Sequence, residues 1–279
     1  MNTPILFIIF NRPDNTKRVF DQIRLVKPIQ LFVSADGPRK DKPNEDKICQ
    51  QVREIIKQVD WECEVKTLFS DVNLGCKNAC VKAINWFFDN VDAGIILEDD
   101  CLPDQSFFPF CEELLIKYKD NTHIMNICGT NYIKNRVKTV SDSYFFIDQH
   151  CKVDVMGPSV WGWASWKRAW LLFDVNLKIY KDIQNKKYYQ DIYKLHKEFP
   201  IFIQALDLII DGKLDAWDCQ WNFAKYINHG LSIIPSVNLI TNIGFDGTGV
   251  LFNKKHSNIY SLQSFPMRFP LKHPRINYV

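Results

Sequence analysis

The sequence has little of several features that mark particular protein classes. No uninterrupted apolar stretch approaches the roughly 20 residues that span a bilayer. Lys and Arg number 35 and Asp and Glu number 32, so the net charge is +3. Nucleic-acid binding normally requires a strong basic excess, and we therefore expect no nucleic-acid partner. Residues 1–4 carry no basic region before the first apolar run, which predicts no signal peptide and a cytoplasmic location.

Motifs with fixed spacing are also scarce. The nine cysteines are scattered, and Cys76 and Cys80 are the nearest pair. Neither a CxxC motif nor a Cys/His cluster with zinc spacing occurs, a pattern typical of free thiols in a reducing compartment. The sequence also lacks GxGxxG and GxxxxGK(S/T), which argues against dinucleotide dehydrogenases and P-loop enzymes.

Strand-like and helix-like segments alternate through the first half of the chain. Buried-strand patterns occupy residues 5–10, 29–33, 64–69 and 94–97, with helix patterns between them. This alternation predicts an α/β fold with a mostly parallel sheet flanked by helices. Because no repeat or linker is visible, we predict one domain, with a nucleotide-sugar-binding half (residues 1–130) and a less regular acceptor-binding half (residues 131–279).

Polar residues follow each predicted strand at its carboxyl end. In parallel sheets these ends meet at one edge, and ligands bind there. We therefore expect a binding edge formed by Asn11, Arg12, Asp36, Asn73, Gly75, Glu98, Asp99 and Asp100.

The acidic triplet Glu98-Asp99-Asp100 directly follows the fourth strand. Three adjacent carboxylates repel one another, so they favour a compensating cation. A hard divalent ion would use such oxygen ligands and also bridge to substrate phosphates. A solvated acidic loop is the alternative, and the position at a converging strand end favours the metal.

The other residues of this edge each have two interpretations. Arg12 suits a phosphate or a base edge, or it is a surface arginine. Asp36 suits a ribose hydroxyl or a base N–H, or it forms the turn before Gly37. Asn73 and Gly75 begin a helix whose amides can face an anion.

The order of these motifs resembles the N-acetylglucosaminyltransferase I family. It is also similar to bacterial glycosyltransferases of surface-polysaccharide synthesis with the GT-A fold, a Rossmann-like fold. The similarity covers residues 4 to about 249. It is carried by Phe10-Asn11-Arg12, Ser34-Ala35-Asp36, Glu98-Asp99-Asp100, Pro103, Phe107-Phe108, Gly162-Trp163 and Trp217-Asp218.

The resemblance implies a role for each matching residue. Arg12 would contact the nucleotide, and Asp36 its uracil or ribose. Asp100 would bind Mn²⁺ or Mg²⁺, with Glu98 and Asp99 accepting hydrogen bonds from sugar or ribose hydroxyls. Asp218 falls at the position of the family's catalytic base.

The sequence departs from the family pattern in two places. The family's histidine after the third strand is absent, and Lys77 lies nearby, so we include Lys77 in the nucleotide-sugar site. Cys219-Gln220 replaces a tighter Trp-Asp-Asp-Trp pattern, which leaves a neighbour of Asp218 open as the base.

Three segments of the second half have open interpretations. Gly162 and Trp163 contact a sugar or belong to the core, whereas Trp166 and Trp170 are expected to pack as one helix face. Residues 244–249 form a turn loop or a loop that closes over donor phosphates. The tail (residues 265–279) packs on the domain in extended form or attaches the protein peripherally to an anionic membrane.

Together these patterns predict a metal-dependent, inverting glycosyltransferase of surface-glycan synthesis. It would move a sugar from a nucleoside-diphosphate sugar, expected to be a UDP-sugar, to a hydroxyl of a saccharide or lipid-linked saccharide acceptor. The alternatives are a sugar-1-phosphate nucleotidylyltransferase and a non-catalytic carbohydrate-binding or toxin-accessory protein. The first normally carries a Gly-rich basic loop after the first strand, which Asn11-Arg12-Pro13-Asp14 is not.

Overall fold

The computed structural model describes residues 1–132, 142–147, 160–183, 199–244 and 262–275. Their strands are β1 (Ile5–Ile9), β2 (Gln30–Ala35), β3 (Glu64–Phe69), β4 (Ala93–Glu98), β5 (Cys101–Pro103), β6 (Ile124–Cys128), β7 (Tyr144–Ile147), β8 (Trp163–Trp166), β9 (Leu231–Pro235) and β10 (Ile240–Asn242). Eight of them form one sheet in the order β3-β2-β1-β4-β8-β6-β9-β7, and β5 pairs with β10.

The helices cover both faces of this sheet. They are α1 (Pro13–Val26), α2 (Glu45–Ile55), α3 (Cys76–Asn90), α4 (Phe107–Lys117), α5 (Lys167–Trp170), α6 (Lys178–Ile183), α7 (Phe199–Ile210) and α8 (Asp218–Ile227), with a 3-10 turn at Ile56–Gln58.

Alternation of side chains along β1 explains the two-sided core. All five residues of β1 are buried. Ile5, Phe7 and Ile9 belong to the core cluster that includes residues of α1, α2 and α4. Leu6 and Ile8 belong to the opposite cluster, with residues of α3 and α8. A strand covered on both faces needs a continuous apolar run, which is the pattern that the sequence shows.

Parallel pairing dominates the sheet and brings the polar strand ends together. β1 pairs in parallel with β2 and β4, and β2 with β3. β6 pairs in parallel with β9, whereas β4–β8, β6–β8 and β7–β9 are antiparallel. The predicted α/β fold with a mostly parallel sheet is therefore confirmed, and the carboxyl ends of β1, β2, β3 and β4 lie at one edge.

The second half of the chain completes the same sheet. Strands from both sides of residue 130 pair with one another, because β8 lies between β4 and β6. Trp166 ends β8 and Trp170 lies in α5, so the prediction that both tryptophans share a helix face is wrong. All four residues of β8 are buried, as expected for a strand that pairs with β4 on one side and β6 on the other. The apolar pattern also predicts a helix from residue 183 to about residue 196, a segment that lies almost entirely outside the described residues.

Residues 262–275 pack against the domain in extended form without becoming a strand. The backbone N–H of Met267 donates to Ser106 Oγ (2.8 Å), and the N–H of Lys272 donates to Ser143 Oγ (2.9 Å). Met267 and Leu271 are buried. Packing on the domain is thus confirmed for these residues, and membrane attachment stays a prediction. Within the ranges that the structure describes, no helix is both long and apolar enough to cross a membrane.

Candidate nucleotide-sugar site

Arg12 connects the carboxyl ends of β1 and β4. Its Nη1 donates to Asp100 Oδ2 at 2.9 Å, and its Nη2 forms an ion pair with Asp99. Asp99 also accepts a hydrogen bond from the backbone N–H of Phe10 (3.2 Å). The Asp99 side chain is 3% exposed, whereas the Arg12 and Asp100 side chains keep 23% and 17% of their surface. Asp99 therefore holds the guanidinium from its buried side, and Asp100 lies on the solvent-exposed side of the cluster.

The triplet carries more negative charge than Arg12 neutralises. Burial raises the pKa of Asp99 to about 6, with Arg12 acting in the opposite direction. Burial, and then repulsion by Asp100, raise the pKa of Glu98 well above its usual range. A cation beside these carboxylates would remove this cost.

The β5–β10 pair brings a second segment against Asp100. The N–H of Ile243 donates to the carbonyl oxygen of Asp100 (2.8 Å). A Cβ on Gly244 would lie 2.4 Å from Asp100 Oδ2 and 2.8 Å from Arg12 Nη1. A side chain at this position would displace Asp100 or Arg12, so Gly244 lies directly against the Arg12–Asp100 pair. The remainder of the predicted closing loop, residues 245–249, lies outside the described residues.

The donor set fits a divalent cation shared with a bound phosphate. Within the described ranges, no group of three or more His, Cys, Asp or Glu side chains could hold a metal ion by itself. Among the described residues, Asp100 Oδ1 accepts a thiol hydrogen bond, from Cys101 Sγ at 3.4 Å. One carboxylate oxygen is thus available, and Mg²⁺-type ions are commonly held by one or two carboxylates together with substrate phosphates.

Asp36 is engaged by the protein itself. Its Oδ1 accepts the N–H groups of Gly37 and Leu74, both at 2.9 Å. Its Oδ2 accepts Asn73 Nδ2 at 2.9 Å, and Asn73 Nδ2 also donates to the carbonyl oxygen of Gly37. A carboxylate has about four lone-pair positions, and these donors occupy most of them. Asp36 and Asn73 thus tie the end of β2 to the loop before α3, and the predicted contact with uracil or ribose stays a prediction.

Asn11 belongs to a second internal cluster. Its Nδ2 donates to Glu45 Oε1 (2.8 Å), and the N–H of Arg39 donates to Glu45 Oε2 (2.7 Å). The hydrogen bond with the Arg39 side chain lowers the pKa of Glu45. The Arg39 guanidinium lies 5.6 Å from the ring centre of Phe10. This cluster orders the connection between β1 and α1 next to Arg12.

The start of α3 faces the segment that precedes α8. Gly75 has φ +79°, and a Cβ on it would lie 3.2 Å from Asp215 Oδ2. Lys77 Nζ is 3.8 Å from Asp215 Oδ1. A hydrogen bond with Cys80 lowers the pKa of the Cys76 thiol, while the carboxylates of Asp215, Asp218 and Asp100 act in the opposite direction. The start of α3 therefore lies next to Asp215, which comes from the second half of the chain.

Asp218 is the first residue of α8. Burial raises the pKa of Asp218, and hydrogen bonds from the backbone N–H groups of Cys219 and of Asp218 itself act against this. A raised pKa makes a carboxylate a stronger base, so this placement is compatible with the role that the family resemblance implies.

Gly162 and Trp163 lie in the core. Trp163 is 0% exposed and packs against Trp170, Trp217 and Trp221. A Cβ on Gly162 would lie 2.4 Å from Ile240 Cδ1, and its φ is +58°. The predicted sugar contact is therefore not available to Trp163, because no ring face reaches the surface, and the glycine serves packing between strands.

Sequence reasoning missed two residues of this region, Glu45 and Asp215. Glu45 is 4% exposed, but it lies in a polar segment of the sequence that does not indicate burial. Asp215 stands three positions before Asp218, and that repeated acid was the only available signal. Gly244 opens the Gly-rich loop, but its close contact with Arg12 depends on the pairing of β5 with β10.

Comparisons with known proteins identify no family. No protein-family model matches the sequence, and no curated protein matches it either.

Three solved structures resemble parts of the chain. The 4-diphosphocytidyl-2C-methyl-D-erythritol synthase of Anaerococcus prevotii has a TM-score of 0.36 and 13% identity, over 61% of this chain and 73% of the synthase. HddC from Yersinia pseudotuberculosis has a TM-score of 0.31 and 9% identity, over 52% of this chain and 60% of HddC. A UDP-glucose pyrophosphorylase complexed with UDP-glucose has a TM-score of 0.31 and 10% identity, over 53% of this chain and 67% of the pyrophosphorylase.

These similarities are too low to identify a reaction. The chain spans only 60% of HddC. The comparisons give no evidence for the N-acetylglucosaminyltransferase I family, so that resemblance stays a prediction.

Proposed function

We propose that the protein is a transferase that binds a nucleoside-diphosphate sugar at the edge formed by β1 and β4 and moves the sugar to an acceptor hydroxyl. The observation that carries this proposal is the Arg12–Asp99–Asp100 cluster. It places a partly exposed guanidinium and a partly exposed carboxylate together at the carboxyl ends of two parallel strands. Ligands of α/β sheets bind at such ends.

Arg12 would bind the diphosphate. Its two carboxylate contacts leave part of the five-donor guanidinium for a ligand, and Asp99 holds it in one orientation. Arginine binds phosphate through two parallel hydrogen bonds when its side chain is fixed in this way. As the glycosidic bond breaks, negative charge develops on the diphosphate, and Arg12 is placed to stabilise it.

Asp100 would hold a divalent cation, Mn²⁺ or Mg²⁺, together with the diphosphate. When bound, such a cation neutralises the leaving group as a Lewis acid. Asp100 would contribute a carboxylate oxygen, and the cation would offset the repulsion that raises the pKa values of Glu98 and Asp99.

Asp218 would act as general base. It would take the proton from an acceptor hydroxyl that attacks the sugar carbon from the face opposite the diphosphate, which gives inversion of configuration. The raised pKa of Asp218 suits proton abstraction near neutral pH better than an ordinary aspartate does.

The second candidate is a sugar-1-phosphate nucleotidylyltransferase. A UDP-glucose pyrophosphorylase is such an enzyme, so the structures compared above agree with this alternative at least as well as with glycosyl transfer. Against it stands the connection from β1 to α1, which is only three residues long and has no glycine. A non-catalytic carbohydrate-binding protein would have no need of the Arg12–Asp99–Asp100 cluster.

Two reactions distinguish the candidates. The purified protein is incubated with Mn²⁺ and UDP-glucose, UDP-N-acetylglucosamine or GDP-mannose, and release of the nucleoside diphosphate is measured. In parallel it is given UTP and glucose-1-phosphate, and release of pyrophosphate is measured. Metal-dependent release of the diphosphate, abolished by Asp100→Ala, supports glycosyl transfer. Pyrophosphate release alone assigns the second candidate, and no reaction together with no nucleotide binding contradicts both.

A further inference from the structure

Asp215 differs from the other carboxylates of the site in its capacity to accept further hydrogen bonds. Asp36 is occupied by backbone and amide donors, and Asp99 by Arg12 and the N–H of Phe10. Asp218 accepts the N–H groups at the start of α8. For Asp215, the structure records one partner among the described residues, Lys77 at 3.8 Å. That separation exceeds a hydrogen bond, so both oxygens of Asp215 keep their accepting capacity.

Its position is nevertheless well defined. The carboxylate lies against the Cα of Gly75, at a distance that leaves little room for any side chain there. Lys77, the second residue of α3, attracts it electrostatically, and the Asp215 side chain remains 54% exposed. The loop before Gly75 is tied to β2 through Asp36. Asp215 therefore belongs to the same edge as the nucleotide-binding strands, although it comes from the second half of the chain.

We infer that Asp215 is a specificity residue of the donor site, which accepts a hydrogen bond from a hydroxyl group of the transferred sugar while Lys77 positions its carboxylate. The inference rests on the proposed function. A carboxylate repels the diphosphate, whereas sugar hydroxyls are hydrogen-bond donors that an ionised acceptor binds strongly. Asp215 lies against Gly75, and the preceding N–H of Leu74 is bound to Asp36 at the end of β2, so Asp215 lies at the strand-end edge that also carries Arg12.

The test separates the sugar from the nucleotide. Calorimetric titrations with Mn²⁺ measure binding of UDP, UDP-glucose, UDP-N-acetylglucosamine and GDP-mannose to the wild type, to Asp215→Ala and to Asp211→Ala. Asp211 is the matched control, because it is a 52% exposed carboxylate four residues earlier that pairs with Lys213 at 2.8 Å. Thermal unfolding of each variant checks that the fold is unchanged.

We expect Asp215→Ala to weaken binding of the preferred nucleotide sugar by about 10- to 100-fold, as for loss of a hydrogen bond to a charged group. Binding of the free nucleoside diphosphate should stay unchanged, and Asp211→Ala should bind both ligands as the wild type does. Equal losses for the sugar nucleotide and for the free diphosphate would overturn the inference. So would no loss for either, or unchanged donor binding with reduced turnover. If the wild type itself binds none of the four nucleotides, the proposed function fails together with this inference.

Discussion

Arg12 and Asp100 are 88 residues apart in the chain, yet Nη1 and Oδ2 are 2.9 Å apart. The pair exists because β1 and β4 are adjacent, parallel and in register, with Ile8 opposite Glu98. Arg12 follows the last residue of β1 by three positions and Asp100 follows the last residue of β4 by two, so both groups emerge at the same edge of the sheet. The pairing of β1 with β4 therefore sets the distance between Arg12 and Asp100, and the exposed parts of both side chains face the same side of the sheet.

Replacement of Arg12 should damage stability and ligand binding together. Arg12→Met removes the cation that faces Asp99, whose side chain is 3% exposed. Breaking a buried ion pair from one side leaves an uncompensated charge, so we expect the free energy of unfolding to fall by about 3 kcal/mol. Urea denaturation at pH 7 measures this. Arg18→Met, on the exposed face of the same helix, is the control and should change stability little; equal stability of both variants would contradict the burial argument.

Gly244→Ala should separate Arg12 from Asp100. The added methyl group would lie 2.4 Å from Asp100 Oδ2, so the pair or the backbone must move. Overpacking of this kind costs about 1–3 kcal/mol, and we also expect loss of nucleotide-sugar binding in a calorimetric titration. Gly212→Ala provides the comparison, because Gly212 also has a positive φ (+69°) but nothing within 4 Å of the new methyl group. It should lose about 1–2 kcal/mol through backbone strain and keep its binding.

The local part of this architecture was predictable, and the long-range part was not. Apolar runs ending in polar residues predicted β1 and β4, and thereby the approach of Arg12 to Asp100. The same reasoning placed Asp36 at this edge, but a sequence does not show that the N–H of Leu74 donates to that carboxylate. For a related reason, the sequence did not decide whether Trp163 contacts a sugar or belongs to the core. β8 inserts antiparallel between β4 and β6, and spacing along the chain does not encode such an insertion.

The Glu45 cluster should make stability depend on pH in the acid range. Arg39 lowers the pKa of Glu45 below its usual 4.5. A carboxyl group with a lowered folded-state pKa stabilises the fold above pH 4.5, and this contribution is lost as the pH falls through the folded-state pKa. We expect Glu45→Gln to be less stable than the wild type by about 1–2 kcal/mol at pH 7 and to approach it at pH 3.

Urea denaturation of both proteins from pH 3 to pH 7 measures the difference. Asp41→Asn is the control, since that carboxylate is 76% exposed in the same loop, and its difference from the wild type should stay near zero throughout. A constant difference for Glu45→Gln across the whole range would mean that charge on Glu45 is not what stabilises this loop.

The proposed role of Asp218 as general base predicts a specific loss of turnover when its carboxylate is replaced. An amide at this position still accepts hydrogen bonds from the start of α8 but cannot take a proton. If Asp218 is the general base, Asp218→Asn should lower kcat by about 10²–10⁴-fold while donor binding stays the same. In the wild type, turnover should fall as the pH decreases through an apparent pKa above the usual 3.8, because burial raises the pKa of Asp218 and only the ionised form acts as base. Initial rates with donor and acceptor from pH 4 to pH 8 test both statements, with calorimetric donor binding as the internal control. Full turnover by Asp218→Asn would transfer the base role to another acid of this edge, and unaltered kcat with weaker donor binding would make Asp218 a binding residue instead.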